Sequence, residues 1–270
     1  MNRELINDFL LKCEENDGDL RYHNSFSTLS LNLDYIPAAN RIGNEDLRSI
    51  QRAVSKQVRY IEKDIDLLDS LVHRLIFYRE NHEEFDFDPR LLNRYITVDL
   101  ESFHVVYRSL FDHIAIILFK ICDQPGQFEI TSFQSQREKI LNNEGFRDRI
   151  GNNIFDLILY CDWFDEIRSI RNGLVHHGRW IEYMIRDDYF LINADQELER
   201  LDSIPRDIFQ DGWLIAELYL GLVMVYLHSY LDQLEEKCFQ RLNFPRHACN
   251  TGREHPIINN YYQWMSQLTE

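Results

Sequence analysis

A chain of 270 residues with 44% hydrophobic and 13% aromatic content is long enough to bury a large core and too apolar to be a disordered tail. A net charge of −16 gives an acidic surface that repels nucleic acid and anionic membranes, so no DNA or membrane partner is expected and any phosphate site must be a local basic island. Five scattered cysteines (Cys13, Cys122, Cys161, Cys238 and Cys249) without a CxxC pair argue against a zinc or disulfide framework and fit a reducing cytosol, while Met1–Leu5 lacks the apolar run of a signal peptide, so a cytoplasmic location is expected.

Residues 1–14 read as a short amphipathic helix with Leu5, Phe9 and Leu10 on one side. Residues 15–43 read as loop with a short strand near Leu29–Leu33. Asn44 is placed to cap a long helix to about Glu80. Its apolar residues, from Leu47 through Ile50, Val54, Val58, Ile61, Ile65, Leu68 and Val72 to Leu75, follow one another at steps of three and four, so it should pack lengthwise on helical neighbours.

An acidic break over 81–89 precedes a second long helix, from about Arg90 to Cys122. Phe103, Val106, Leu110, Ile114, Ile117 and Ile121 form its apolar face. Glu101, His104, Arg108 and Asp112 recur at steps of three, four and four and share another face. That stripe is either a solvated face with internal ion pairs or a polar wall facing a site. A turn at Asp123-Gln124-Pro125-Gly126 follows, and Ser135-Gln136-Arg137-Glu138 has the spacing of a capping box opening a short helix to about Asn142.

Asn153 is placed to cap one helix running to Gly178, with Ile154, Leu157, Ile158, Cys161, Phe164, Ile167, Ile170 and Leu174 at helical spacing. Aromatic and branched runs on either side of Arg186-Asp187-Asp188 predict a β-hairpin over Trp180–Ile192 that lies against the helices. A polar linker over 193–208 leads into an apolar helix from about Phe209 to Arg241. Its stretch Trp213–Leu231 is long enough to span a bilayer, but Glu217 and His228 interrupt it and basic anchors are missing beside it, so a buried core helix is expected. The tail from Asn243 reads as irregular with a short terminal helix; His247, Cys249 and His255 there lack metal-ligand spacing, and neither metal nor cofactor is expected. The sum is an all-α helical bundle of about four long helices with a small β-hairpin, one domain over 1–270 with its core at about 44–240 and with 1–43 and 243–270 peripheral.

One stretch reads as chemistry. Between Ile167 and Ile181 there is no acid, and Arg168, Arg171, Arg179, His176 and His177 supply three guanidinium groups and two imidazoles. A neutral imidazole can deprotonate a ribose 2′-OH or, once protonated, protonate a leaving 5′-oxygen, because its pKa lies near working pH. An arginine can hold the phosphate and stabilise its transition-state charge. Asn172 and His176 are four residues apart and share a helix face, whereas Arg171 is displaced from His176 by about 140° at 3.6 residues per turn. The two therefore flank one site only if Arg171 reaches around the helix or a second copy faces the first across a two-fold axis. The competing reading has Arg168 and Arg171 paired with Asp165 or the Glu101–Asp112 stripe, and the histidines capping a helix C-terminus.

Arg171-Asn172-Gly173-Leu174-Val175-His176 resembles the R-N-x-x-x-H form of the Arg-x4–6-His signature of the HEPN superfamily. The resemblance implies an all-α bundle, commonly dimeric, with the motifs of two copies meeting at the interface. Many members are metal-independent endoribonucleases of toxin and antiviral defence systems; others have lost activity and bind nucleotides, RNA or partner proteins. Carried over, Arg171 is the phosphate-contacting arginine, His176 the catalytic histidine and Asn172 a polar support. His177 satisfies the looser spacing, and Glu101 or Asp112 takes the part of the acid that orients the arginine in some members. Arg168, His177, Arg179, Glu101, His104, Arg108 and Asp112 are the candidate substrate-binding groups, with a homodimer and an RNA or nucleotide ligand expected. The subgroup with tyrosine two residues after the histidine is not matched, because Gly178 stands there.

Overall fold

The computed structural model describes residues 11, 21–22, 45–83, 89–122, 132–159, 161–177, 182–186, 189–193, 204–242, 253–254 and 256–267, with the backbone alone at 21–22, 45–51, 89, 153, 162, 174–177, 242, 253–254, 256 and 266. These residues are mostly helical, with a small antiparallel sheet. The expected elements at Leu29–Leu33 and, apart from the helical Leu11, at 1–14 lie outside them, as do His247, Cys249 and His255.

Helix α1 (Glu45–Asn81) and helix α2 (Pro89–Cys122) form a long antiparallel pair. The stacked rings of Tyr78 and Tyr95, the Arg74–Asp99 bridge at 2.7 Å and the His113–Gln57 hydrogen bond at 2.9 Å mark successive levels of it. The expected α1 stripe is the buried face: Val54, Ile61, Ile65, Leu68 and Val72 are all fully covered. Burial of this repeat makes two long helices cohere, because neither could bury its stripe alone.

Helix α3 (Phe133–Asn142) has its cap three residues before the expected one at Ser135. Ser132 is the cap, and Ser132 and Ser135 close the capping box reciprocally. The free N–H of Phe133 is taken by Asp112 Oδ1 at 2.9 Å, so α2 helps start α3. Asn143 then ends α3 and caps α4 (Glu144–Ile150), which stops at Gly151 with φ 82°.

The single helix expected over 153–178 is two. Helix α5 (Asn152–Leu159) ends, and helix α6 (Asp162–His177) begins after Cys161. No glycine or proline marks the break. Arg137 of α3 supplies its cause: Nη2 donates to the Leu159 carbonyl at 3.0 Å, and Nη1 pairs with Asp165 in the first turn of α6 at 2.7 Å. One guanidinium thus satisfies a carbonyl that the break orphans and anchors the helix that follows.

The expected hairpin is present as β2 (Glu182–Arg186) and β3 (Tyr189–Asn193). A second hairpin extends it. Strands β4 (Phe209–Gln210) and β5 (Trp213–Ile215) join through Asp211 and Gly212, and the sheet order is β2-β3-β5-β4. Asp211 and Gly212 have φ of 53° and 81°, the two positive values that a two-residue hairpin turn of matching twist requires. The apolar helix therefore starts at Ala216, not Phe209: α7 (Ala216–Leu242). It is buried along its length, and no helix among the described residues is long and apolar enough to cross a membrane. Helix α8 (Pro256–Gln267) closes against it, and the short strands β1 (Arg21–Tyr22) and β6 (Arg253–Glu254) pair with each other. Cys122, Cys161 and Cys238 are buried thiols.

Two points fix α7. A Cβ on Gly221 would stand 2.7 Å from the Ile257 carbonyl oxygen and 2.8 Å from Tyr261 Cβ, so α7 and α8 touch backbone to backbone. Glu217, 6% exposed, accepts from Arg79 Nη1 at 3.1 Å and from the Phe190 N–H at 3.3 Å, joining α1, β3 and α7. Burial pushes its carboxyl pKa up. Removing it leaves the Phe190 N–H unpaired, and Glu217→Ala is expected to lower stability by about 3 kcal/mol in chemical denaturation. Gly221→Ala, which forces two helices apart, is expected to cost about 1–3 kcal/mol in the same measurement.

Candidate functional site

The motif occupies the last two turns of α6. Trp163, Phe164 and Ile167 bury the inner face of that helix, and Ile170 packs partly against the core. This seating turns Arg168, Arg171 and Asn172 into half-buried positions along its flank and covers Gly173. The Arg171 guanidinium bends toward its neighbour: Nη1 donates to Asn172 Oδ1 at 3.1 Å. Adjacent helical residues point about 100° apart, so this bond carries the Arg171 charge toward the meridian that Asn172 shares with His176. The backbone of 174–177 continues the helix; the side chains of His176 and His177, and all of Gly178 and Arg179, lie outside what is described.

Asp165, one expected partner for the motif arginines, is taken by Arg137 instead. The polar stripe of α2 is drawn into packing unevenly. His104 is 1% exposed, and its two ring nitrogens are engaged. The Leu100 carbonyl at 2.7 Å can only accept, so Nδ1 carries the proton; Nε2 then accepts from the Tyr219 hydroxyl at 2.9 Å. Burial lowers its pKa to about 4, so the ring is neutral at ordinary pH and links α2 to α7. Its place is the core rather than a wall open to substrate.

Arg108 pairs with Asp112 at 2.6 Å and lies over the Phe164 ring, 5.1 Å from its centre. Asp112 also accepts the Phe133 N–H. Both groups fasten α2 to α3 and α6. Glu101 is half-buried, and burial raises its carboxyl pKa. Of the four stripe residues, then, His104, Arg108 and Asp112 are joined to neighbouring elements by hydrogen bonds or ring contacts. Sequence spacing placed His104 beside the charged residues because the step of three from Glu101 is helical; the inward turn of its ring follows from Tyr219, which spacing on α2 alone does not reveal.

No group of three or more metal-ligating side chains comes together among the described residues. No protein-family model, curated protein or solved structure matches the chain.

The buried neutral His104 has a measurable consequence. Its folded pKa of about 4 is below the unfolded value of about 6.5. Its contribution is therefore complete above pH 6.5 and is lost as pH falls toward 4, by about 3 kcal/mol over that window at 1.36 kcal/mol per unit. The raised carboxyl groups of Glu217, Asp99 and Asp64 act in the opposite sense, because their folded forms favour the proton. Comparison with His104→Gln separates the two: melting temperature should fall more steeply between pH 6.5 and 4 in the parent than in the variant.

Proposed function

We propose that the chain is a HEPN-like, metal-independent endoribonuclease of antiviral defence or a toxin-like stress response, acting in the cytoplasm as a homodimer with a composite site. Helices α1, α2, α6 and α7 form the four-helix bundle that carries it. The observation that supports this reading best is the Arg171–Asn172 hydrogen bond, which brings the guanidinium toward the helix face of His176. Phosphate then lies against Arg171, and His176 exchanges a proton with the ribose 2′-oxygen or the leaving 5′-oxygen. Asn172 holds the arginine in place, while Arg168, His177 and Arg179 add positive charge along the strand.

The expected outcome is cleavage of RNA in EDTA with 2′,3′-cyclic phosphate ends. His176→Ala combined with His177→Ala should lower the rate by about 100-fold or more, and Arg171→Ala by a similar factor. Undiminished cleavage by the double histidine variant overturns the assignment.

A second reading is a catalytically inactive module that binds a nucleotide, RNA or a partner protein. The absorption of His104 and Asp112 into packing favours it, because that removes two groups a cleavage site would draw on. Under this reading, RNA binding weakens in Arg171→Ala and depends steeply on salt, with no cleavage at any pH.

A further inference from the structure

Helix α2 carries a second apolar pattern on its outer side. Leu92, Ile96, Leu100 and Phe103 face inward and are buried. Leu91, Val98 and Val105 face outward and are 40, 55 and 39% exposed, and Tyr95, whose ring stacks on Tyr78 of α1, is 43% exposed beside them. Their steps of four, three and seven, with Ser102 dividing the last into four and three, are those of a heptad seam. Single exposed hydrophobes are ordinary; four in register on one helix are the mark of a helical partner. Arg94 and Glu101, seven residues apart, run along one side of the seam.

We propose that this seam is where a second copy of the chain docks, with the two α2 helices packed antiparallel about a two-fold axis beside Ile96 and Thr97. Tyr95 then lies on the partner's Val98, and Leu91 lies on the partner's Ser102, so large groups meet smaller ones in these layers, while Val105 lies at the level where the partner's α2 begins. In this register Arg94 stands beside the partner's Glu101, and symmetry repeats the pair. Charge selects the register. Sliding one heptad along, so that Val98 meets the partner's Ser102, puts Glu101 against the partner's Glu101 and Arg94 near the partner's Arg108.

The motif helix packs on another side of α2 and is related to the seam only by its level along that helix. At one end of α6, Trp163 and Phe164 contact Phe111, and further along Ile170 shares a small cavity with Tyr219, the partner of His104. Helix α6 therefore runs antiparallel to α2. Seven residues beyond Ile170, at about 1.5 Å rise per residue, its end comes level with Thr97. The seam rests on the homodimer part of the function proposed above and not on cleavage, since a dimer that cleaves nothing satisfies it equally.

Light scattering on the full chain tests it. The parent should have twice the monomer mass of 32.6 kDa, and Val98→Glu should reduce it to the monomer with unchanged helical content and melting temperature. Arg94→Glu should weaken association about tenfold. Adding Glu101→Arg to it should restore the parent value. Tyr95→Cys with Val98→Cys should give an interchain disulfide that neither single variant gives. A Val98→Glu protein that dimerises as tightly as the parent overturns the seam and leaves the homodimer standing on another surface. A monomeric parent overturns both. Failure of the charge swap to restore association, or cross-linking of single Val98→Cys as efficient as that of the pair, overturns the antiparallel register.

Discussion

The ring of Phe111 is the contact on which the arrangement of helices depends. From the middle of α2 it meets Phe133 of α3, Trp163 and Phe164 of α6, and Tyr230 of α7, with centroid separations from 4.8 to 5.7 Å. Edge-on and tilted pairs of this kind add to the large area each ring buries. Four helices are thereby fixed at one level. Polar groups then work at the rim of the cluster: Arg108 and Arg137 both lie over Phe164, and each uses its charge to fasten a helix end. Arg137 ends α5 and starts α6, and Asp112 starts α3.

This arrangement decides what the polar stripe of α2 can do. A histidine and an ion pair that a one-dimensional pattern groups with the site are, at the level of Phe111 and Tyr219, mortar between helices. The motif lies on the neighbouring helix α6. Its arginine does not pair with Asp165, which Arg137 occupies. The divergence of Arg171 and His176 on the helix is reduced by the side chain's own reach to Asn172. The two groups are thus less remote on one helix than the angle alone implies.

Much of the fold was legible because burial enforces period. The α1 stripe, the inner face of α2 and the β2–β3 hairpin follow directly from residue spacing. Other features depended on contacts between distant residues. The break after Leu159 has no local breaker, and only Arg137, more than twenty residues earlier, explains it. The start of α7 is legible in Asp211-Gly212, a hairpin signal between Phe209-Gln210 and Trp213-Leu214, although the hydrophobicity of Trp213–Ile215 reads equally as helix. The outer seam of α2 was equally readable in Leu91, Tyr95 and Val98, but a second apolar face on a helix acquires meaning only when the first is known to be buried. The candidate site was legible as composition, an acid-free stretch in an acidic chain.

Charge ties the seam to the motif. Two copies that each carry −16 repel, and the repulsion is screened only beyond about 8 Å at physiological salt. Close approach is therefore least costly where acids are sparse. Residues 89–98 hold two arginines and no acid, although the acidic run 83–88 directly precedes them. The stretch between Ile167 and Ile181 holds three arginines and no acid. Because α6 runs back along α2, the backbone end of α6 at 177 comes level with Thr97, on another side of α2 from the seam. A phosphate chain and a second acidic copy impose the same electrostatic demand.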